Sequence, residues 1–281
     1  MKNKFKLNSS TLLVFILTTG VFGIINTEMG VIGILPLIAE NFQVTVPEAG
    51  WTVSIFALVV AISAPITPLL FSGINRKKVM ILALGLFTLS NIISMMTTNF
   101  TILLISRALP AFLHPVYVSM AFTVAAASVS KEKAPKAVAK VFIGVSAGMV
   151  LGVPVTSYIA SEVSYSMGML FFTVVNALVL VATILFVPSM PVKEKLSYGT
   201  QLSVLKKKVV WYSILAITLI NGALFGFFSY MSDYLKTITG VSYTVISTML
   251  LIYGMANIIG NVIAGKQLAV NPVRSMITVS Y

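Results

Sequence analysis

The chain has 281 residues, 58% of them hydrophobic and only 9% charged, with a formal net charge of +12. Soluble domains carry about 25% charged residues, so this composition excludes an ordinary water-soluble fold and leaves too little polar sequence for long hydrated loops. The absence of cysteine excludes a disulfide framework, a thiolate nucleophile and a thiolate metal site.

Taken in chain order, the apolar runs cover residues 11–38, 49–72, 79–97, 100–128, 137–160, 167–187, 209–235 and 243–268. Most are long enough to cross a hydrocarbon layer, which takes roughly 20 helical residues. Barrel strands would be shorter and would alternate apolar with polar residues, so the runs predict about eight transmembrane helices and an all-α membrane protein. The first run follows Lys2, Lys4 and Lys6. It is longer than a signal-peptide core and shows no small-residue cleavage site, so it reads as a retained first helix. The stretch Ser275–Tyr281 reads as the opening of a ninth segment that is cut off.

The basic excess does not form a face interleaved with aromatic residues, which argues against nucleic acid as a partner. It sits in short clusters between the apolar runs, where charge fixes orientation in a lipid bilayer. With the N-terminus placed in the cytoplasm, 17 of the 19 basic residues fall on the inner side. These include Arg76, Lys77 and Lys78, then Lys131 to Lys140, then Lys193 to Lys208. Only Lys236 falls in an outer loop, and Arg107 lies within a helix. Glu40, Glu48 and Glu162 fall outside, with Asp233 near an outer helix end. This sorting predicts a multi-pass protein of the cell's inner (plasma) membrane with a cytoplasmic N-terminus.

The longest connection, residues 188–208, contains Pro188 and Pro191 and ends in lysines. It divides a six-helix bundle (1–187) from a second part (209–281) holding two helices and the start of a third. A weak repeat agrees with the division. Leu35-Pro36-Leu37 precedes Val44-Thr45 near the end of the first helix, as Tyr234-Leu235 precedes Val241-Ser242 near the end of the seventh. Parallel repeats of this kind occur in transporters built from two similar halves.

Three ionisable residues lie well away from the ends of predicted helices, where such groups are expensive and need a polar cavity or a partner. Glu28 is in the first helix and Arg107 in the fourth. The two helices run in opposite directions, and at ~1.5 Å per residue the two groups sit at similar depth and are expected to interact directly or through water. His114 follows Arg107 by seven residues, on the same helix face, and Pro110 and Pro115 loosen the backbone there. Two readings stand for each group: a static, hydrogen-bonded packing residue, or a proton-coupling group whose charge responds to access and substrate. No metal-ligand cluster, nucleophile–base pair or phosphate loop is present, so the sequence suggests neither an enzyme nor a bound cofactor or metal.

In the fifth helix Gly144, Gly148 and Gly152 recur every four residues and are followed by Pro154. Small residues at that spacing let another helix approach closely. Phe22, Tyr117, Phe142, Phe225 and Tyr230 are candidates for lining an apolar substrate cavity, although such residues also face lipid or neighbouring helices.

These features together resemble a known family. Arg107-Ala108-Leu109 resembles the helix-4 arginine motif of major facilitator transporters. The stretch from Gly144 to Pro154 resembles their helix-5 antiporter motif with its closing Gly-x-Pro. Thr27-Glu28-Met29-Gly30, continuing to Pro36, resembles helix 1 of the drug/proton antiporter-like branch, which includes efflux proteins for drugs, sugars, arabinose-like compounds and purine nucleosides. The resemblance implies a major facilitator fold with a complete N-terminal six-helix bundle and the first two helices of the C-terminal bundle. It also implies Arg107 supporting proton coupling, Glu28 as the titrating acid, and helix-5 glycines that pack against the other half and limit leak. Gly73, Arg76, Lys77 and Lys78 match the cytoplasmic gate loop, but the acid usual in that loop is replaced, the chain reading Gly73-Ile74-Asn75-Arg76. The family has twelve helices, so the expectation is a proton-coupled exporter of a small organic solute, apparently truncated at its C-terminus. The alternative is a truncated, non-transporting membrane scaffold or subunit.

Overall fold

The computed structural model describes residues 9–192 and 207–270. Ser275–Tyr281, read above as a ninth segment, and the side chain of Phe225 lie outside what is described. Among the described residues there is helix and no strand, because backbone polar groups within lipid must be satisfied inside each segment.

The first predicted run is α1 (Ser9–Met29), a 3-10 turn (Gly30–Ile34) and α2 (Leu35–Phe42). The second is α3 (Val46–Ala49), α4 (Trp51–Ser63) and α5 (Thr67–Leu70), and the third is α6 (Arg76–Met96). The fourth is α7 (Phe100–Ala111) and α8 (His114–Ala127), the fifth α9 (Ala134–Glu162), and the sixth α10 (Tyr165–Phe186). The last two are α11 (Lys208–Thr237) and α12 (Tyr243–Val270). Seven of these spans are long and apolar enough to cross a membrane. The eighth is also a helix, with its described apolar stretch at Tyr243–Ala256.

Besides the 3-10 turn in the first span and the short α3 that opens the second, the helices are interrupted between α4 and α5 and between α7 and α8, and proline accounts for both of these breaks. Proline lacks an N–H and its ring clashes with the carbonyl four residues back. Pro65 lies in the turn that separates α4 from α5 and Pro68 in the first turn of α5, and Pro110 and Pro115 flank the turn at Phe112–Leu113. Pro115 falls in the first turn of α8, where its missing N–H costs nothing. Pro154, by contrast, lies inside α9, and the helix continues past it to Glu162. Entry to α3, α6, α7 and α10 is fixed by side-chain caps. Asn75, Asn99 and Ser164 accept from the backbone N–H groups of Lys77, Ile102 and Met167. Thr45 and Glu48 cap α3 reciprocally.

The first span is the axis of the bundle. α1 packs against α9 and α10, α6 against α10 and α7, and α4 against α7. Small residues set how close these helices come. A Cβ at Gly144 would lie 2.2 Å from the Thr18 carbonyl oxygen, and one at Gly148 would lie 2.8 Å from Ile25. A Cβ at Gly152 would meet Asn26 at 2.6 Å. The glycine stripe therefore faces the first span within the same bundle, not the other half as the family resemblance implied. The other half meets α9 on a different face, where Gly254 of α12 seats against Val150.

At the end of the bundle carrying Glu40 and Glu162, Ile32 and Val153 form a buried cluster with Ile246 and Leu250 of α12. The Thr244 hydroxyl donates to the Glu162 carboxylate at 2.9 Å. At the opposite, lysine-rich end the first turns of α11 are exposed, Val209 by 73% and Tyr212 by 70%.

Because the Gly144 site has backbone rather than a flexible side chain in its way, Gly144→Ala should destabilise the protein by about 1–3 kcal/mol, the usual cost of overpacking. Gly85, with nothing within 4 Å of an added Cβ, should accept alanine without loss. Thermal unfolding of the two detergent-solubilised variants compares them directly; equal melting temperatures would remove the stripe's packing role.

Candidate functional site

Arg107 projects from α7 into the middle of the bundle and is only 4% exposed. Its Nε donates to the Thr52 carbonyl at 2.7 Å, and its two terminal nitrogens donate to the carbonyls of Thr27 and Glu28 at 3.2 Å each. These acceptors are well chosen. Thr27 and Glu28 lie in the last turn of α1, where the helix gives way to the 3-10 turn at Gly30. Carbonyls in a last helical turn lack their usual partners and carry the negative end of the helix dipole. The Phe56 ring lies 5.3 Å beneath the guanidinium, adding a cation–π contact.

The Glu28 carboxylate points elsewhere. Its Oε2 lies 3.2 Å from Nε2 of His114, close enough for an ion pair but without hydrogen-bond alignment, since both ring nitrogens of His114 lack a partner. This is the only ion pair among the described residues. The expected side-chain contact between Glu28 and Arg107 is thus replaced by two separate contacts. Arg107 holds the backbone at Glu28, and His114 faces its carboxylate. The break before α8 puts His114 in this position, with its ring edge-on to Phe56 at 5.9 Å.

A second layer supports the first span from behind. The Thr27 hydroxyl donates to the Gly23 carbonyl at 3.0 Å and accepts from the amides of Asn91 at 3.2 Å and Asn176 at 2.9 Å. All three side chains are buried. The sequence reading missed Asn91 and Asn176, although amides in the middle of apolar helices carry the same cost signal as Glu28. It had no means of finding Thr52, whose contribution is a backbone carbonyl.

The loop expected from the resemblance to form a gate is tied to the end of the sixth span. Asn75 donates to the Ser189 hydroxyl at 2.7 Å, the Arg76 N–H donates to the Met190 carbonyl at 3.1 Å, and Lys77 Nζ reaches the Ile184 carbonyl at 2.8 Å. Gly73 and Lys78 are exposed. An asparagine therefore supplies neutral hydrogen bonds where the resemblance led us to expect an acid.

The aromatic candidates do not converge on one cavity. Tyr117 is fully buried in the core, with its hydroxyl over Gly20, where a Cβ would lie 1.8 Å away. Phe22 lines an apolar groove of about 300 Å³ between α1 and α10. Phe142 is 54% exposed and tilts against Phe122 at 6.3 Å. Tyr230 of α11 sets its hydroxyl against Gly50, where a Cβ would lie 2.6 Å away, and so joins the two parts of the chain.

Comparison with known families agrees with this architecture. The sequence model of the Major Facilitator Superfamily matches residues 12–280. The chain belongs to the Major Facilitator Superfamily. It is 30% identical over 250 residues to the inner membrane transport protein YdhP of Escherichia coli (strain K12), covering 89% of this chain and 64% of YdhP. It is 32% identical over 266 residues to the MFS-type transporter YtbD of Bacillus subtilis (strain 168), covering 92% of this chain and 66% of YtbD. The chain therefore spans less than two thirds of the length of these relatives. Among solved structures, a bacterial homologue of the human lysosomal transporter Spinster, in an inward-facing and unoccupied conformation, superposes with a TM-score of 0.75 at 16% identity. That match covers 96% of this chain and 64% of the other. The nucleoside transporter NupG (D323A mutant) superposes with a TM-score of 0.73 at 14% identity, covering 94% and 69%. At these identities the likeness is one of fold, and this multi-pass membrane chain has the Major Facilitator Superfamily fold.

Lysine keeps the charge of arginine but not the fork that reaches carbonyls on two spans. Arg107→Lys should therefore lower stability by about 1–3 kcal/mol, the cost of leaving buried acceptors unpaired. Glu28→Gln, which keeps its backbone carbonyl for Arg107, should change stability much less. Denaturant or thermal unfolding in detergent ranks the two variants; a larger loss in Glu28→Gln would show that the carboxylate, not the backbone, carries the contact.

Proposed function

We propose that this chain is a secondary active transporter that exports a small organic solute, such as a drug, sugar or nucleoside, in exchange for protons. The observation that carries the proposal is the Glu28 carboxylate facing His114 at 3.2 Å inside the first membrane span. Its neighbour Arg107 is already satisfied by backbone carbonyls. The carboxylate is thus free to gain and lose a proton without unpairing the buried guanidinium, and His114 is the group that senses the change. Substrate and proton would bias the same region, with the part up to residue 187 and the part beyond 208 rocking about it. The residues Gly144, Gly148, Gly152 and Pro154 would keep the first and fifth spans together during that movement, and the loop carrying Arg76, Lys77 and Lys78 would act as the cytoplasmic gate. The proposal places the N-terminus in the cytoplasm, in keeping with the charge sorting. The inner-membrane assignment of YdhP supports the same membrane.

In vesicles holding the purified chain and a pH-sensitive dye, an outward gradient of a transported solute should drive counterflow of protons. The panel would contain a cationic dye, a pentose and a nucleoside. Glu28→Gln should abolish the coupled signal at normal expression, and His114→Gln should shift its pH dependence. Proton-coupled transport that persists unchanged in Glu28→Gln would remove Glu28 from the mechanism.

Orientation has its own test, because the chain contains no cysteine. Asn41→Cys should react with an impermeant maleimide added outside cells, and Lys131→Cys only after permeabilisation. The reverse pattern would invert the topology.

A further inference from the structure

A cleft of about 370 Å³ opens at the lysine-rich end of the bundle, between the first turns of α1 and the first turns of α9. Its size is within the range of small-ligand pockets, about 300–1,000 Å³. Ser10, Thr11 and Val14 line one side, and Lys133, Lys136 and Lys140 the other. The cleft follows from the glycine stripe. Helices α1 and α9 touch backbone to backbone at Thr18 and Gly144, and the Thr18 hydroxyl donates to the Lys140 carbonyl at 3.3 Å. Towards their N-terminal ends the helices part, and the cleft occupies the wedge between them.

The cleft lacks a counter-charge. Among the described residues no carboxylate pairs with Lys133, Lys136 or Lys140, and Glu132, the nearest acid in sequence, does not line it. No acidic residue lies in the first turn of α9, so the dipole of that helix adds to the positive field instead of being offset. The three lysines are exposed, and an anion seated among them would offset their mutual repulsion beyond what solvent screening does.

We propose that this cleft binds the phosphate diester of an anionic phospholipid headgroup, of the phosphatidylglycerol type. The lysines and the hydroxyls of Ser10 and Thr11 hold the phosphate. The apolar floor of Val14, Val129 and Ala137 takes the root of the acyl chains, which a soluble phosphate would leave unused. The position fits a headgroup, because both walls are the opening turns of membrane spans. Anionic lipid surfaces attract such juxtamembrane lysines by about fivefold per residue. The site is independent of Glu28, so it stands or falls separately from proton exchange.

The test uses the delipidated full chain in neutral detergent, with thermal unfolding followed against added phosphatidylglycerol, phosphatidylcholine or inorganic phosphate. Phosphatidylglycerol should raise the melting temperature saturably and phosphatidylcholine should not. The variant Lys133→Gln/Lys136→Gln/Lys140→Gln should weaken the response by roughly a hundredfold, from about fivefold per lysine. The control Lys207→Gln/Lys208→Gln, on exposed lysines at the same end, should keep it. Equal stabilisation by inorganic phosphate alone would assign the cleft to a soluble anion and overturn the lipid proposal. So would an undiminished response in the triple variant, or an equal loss in the control. A photoactivatable phosphatidylglycerol on the unaltered chain gives a readout that does not depend on the variants. Adducts should fall within residues 10–14 and 129–140, and adducts confined to other basic segments would overturn the site.

Discussion

A guanidinium in an apolar interior must find acceptors, and the way Arg107 finds them organises this protein. An isolated buried charge is prohibitively costly. Here the compensation comes from three carbonyls on two different spans, two of them in the last turn of α1. The arginine thereby fixes where the first helix ends, ties the first, second and fourth spans together, and leaves the nearest carboxylate uncommitted. The chemistry proposed for Glu28 and His114 depends on this division of labour, because an acid locked to the arginine could not change its charge cheaply.

Much of the fold was legible before any coordinates. Long apolar runs can be nothing but helices in lipid, and each predicted run corresponds to helix within a few residues. The interruption of the fourth span was also foreshadowed, since Pro110 and Pro115 stand on either side of it; those of the first and second spans were not. The site was legible at the level of residue type. Glu28, Arg107 and His114 do gather around one point. Their pairing was not legible, because sequence patterns reveal side-chain charge and say nothing about which backbone carbonyls a helix end leaves free. The glycine stripe shows a similar limit. The spacing of Gly144, Gly148 and Gly152 announces a close approach, but not which neighbour approaches, and the family resemblance pointed to the wrong one. Tyr117 shows it again: an aromatic residue on a cavity-lining span is equally suited to filling the space above Gly20.

The two parts of the chain meet by a different logic at each end. At the acidic end they share a buried apolar cluster around Ile32, Val153, Ile246 and Leu250, backed by the bond from Thr244 to Glu162. At the lysine-rich end the first turns of α11 are exposed. There the loop around Asn75 is fastened to residues 184–190 at the end of the sixth span. That fastening uses neutral groups and one lysine, so it does not depend on an acid in the loop.

The contact between Gly144 and Thr18 has a mechanical meaning. Two helices whose backbones touch cannot slide or roll past one another without a collision, so the first and fifth spans behave as one welded beam. That beam carries Glu28 along one side and seats Gly254 against Val150 on another. A displacement at the acid would then be carried by the same beam to the bearing where the second part of the chain rests.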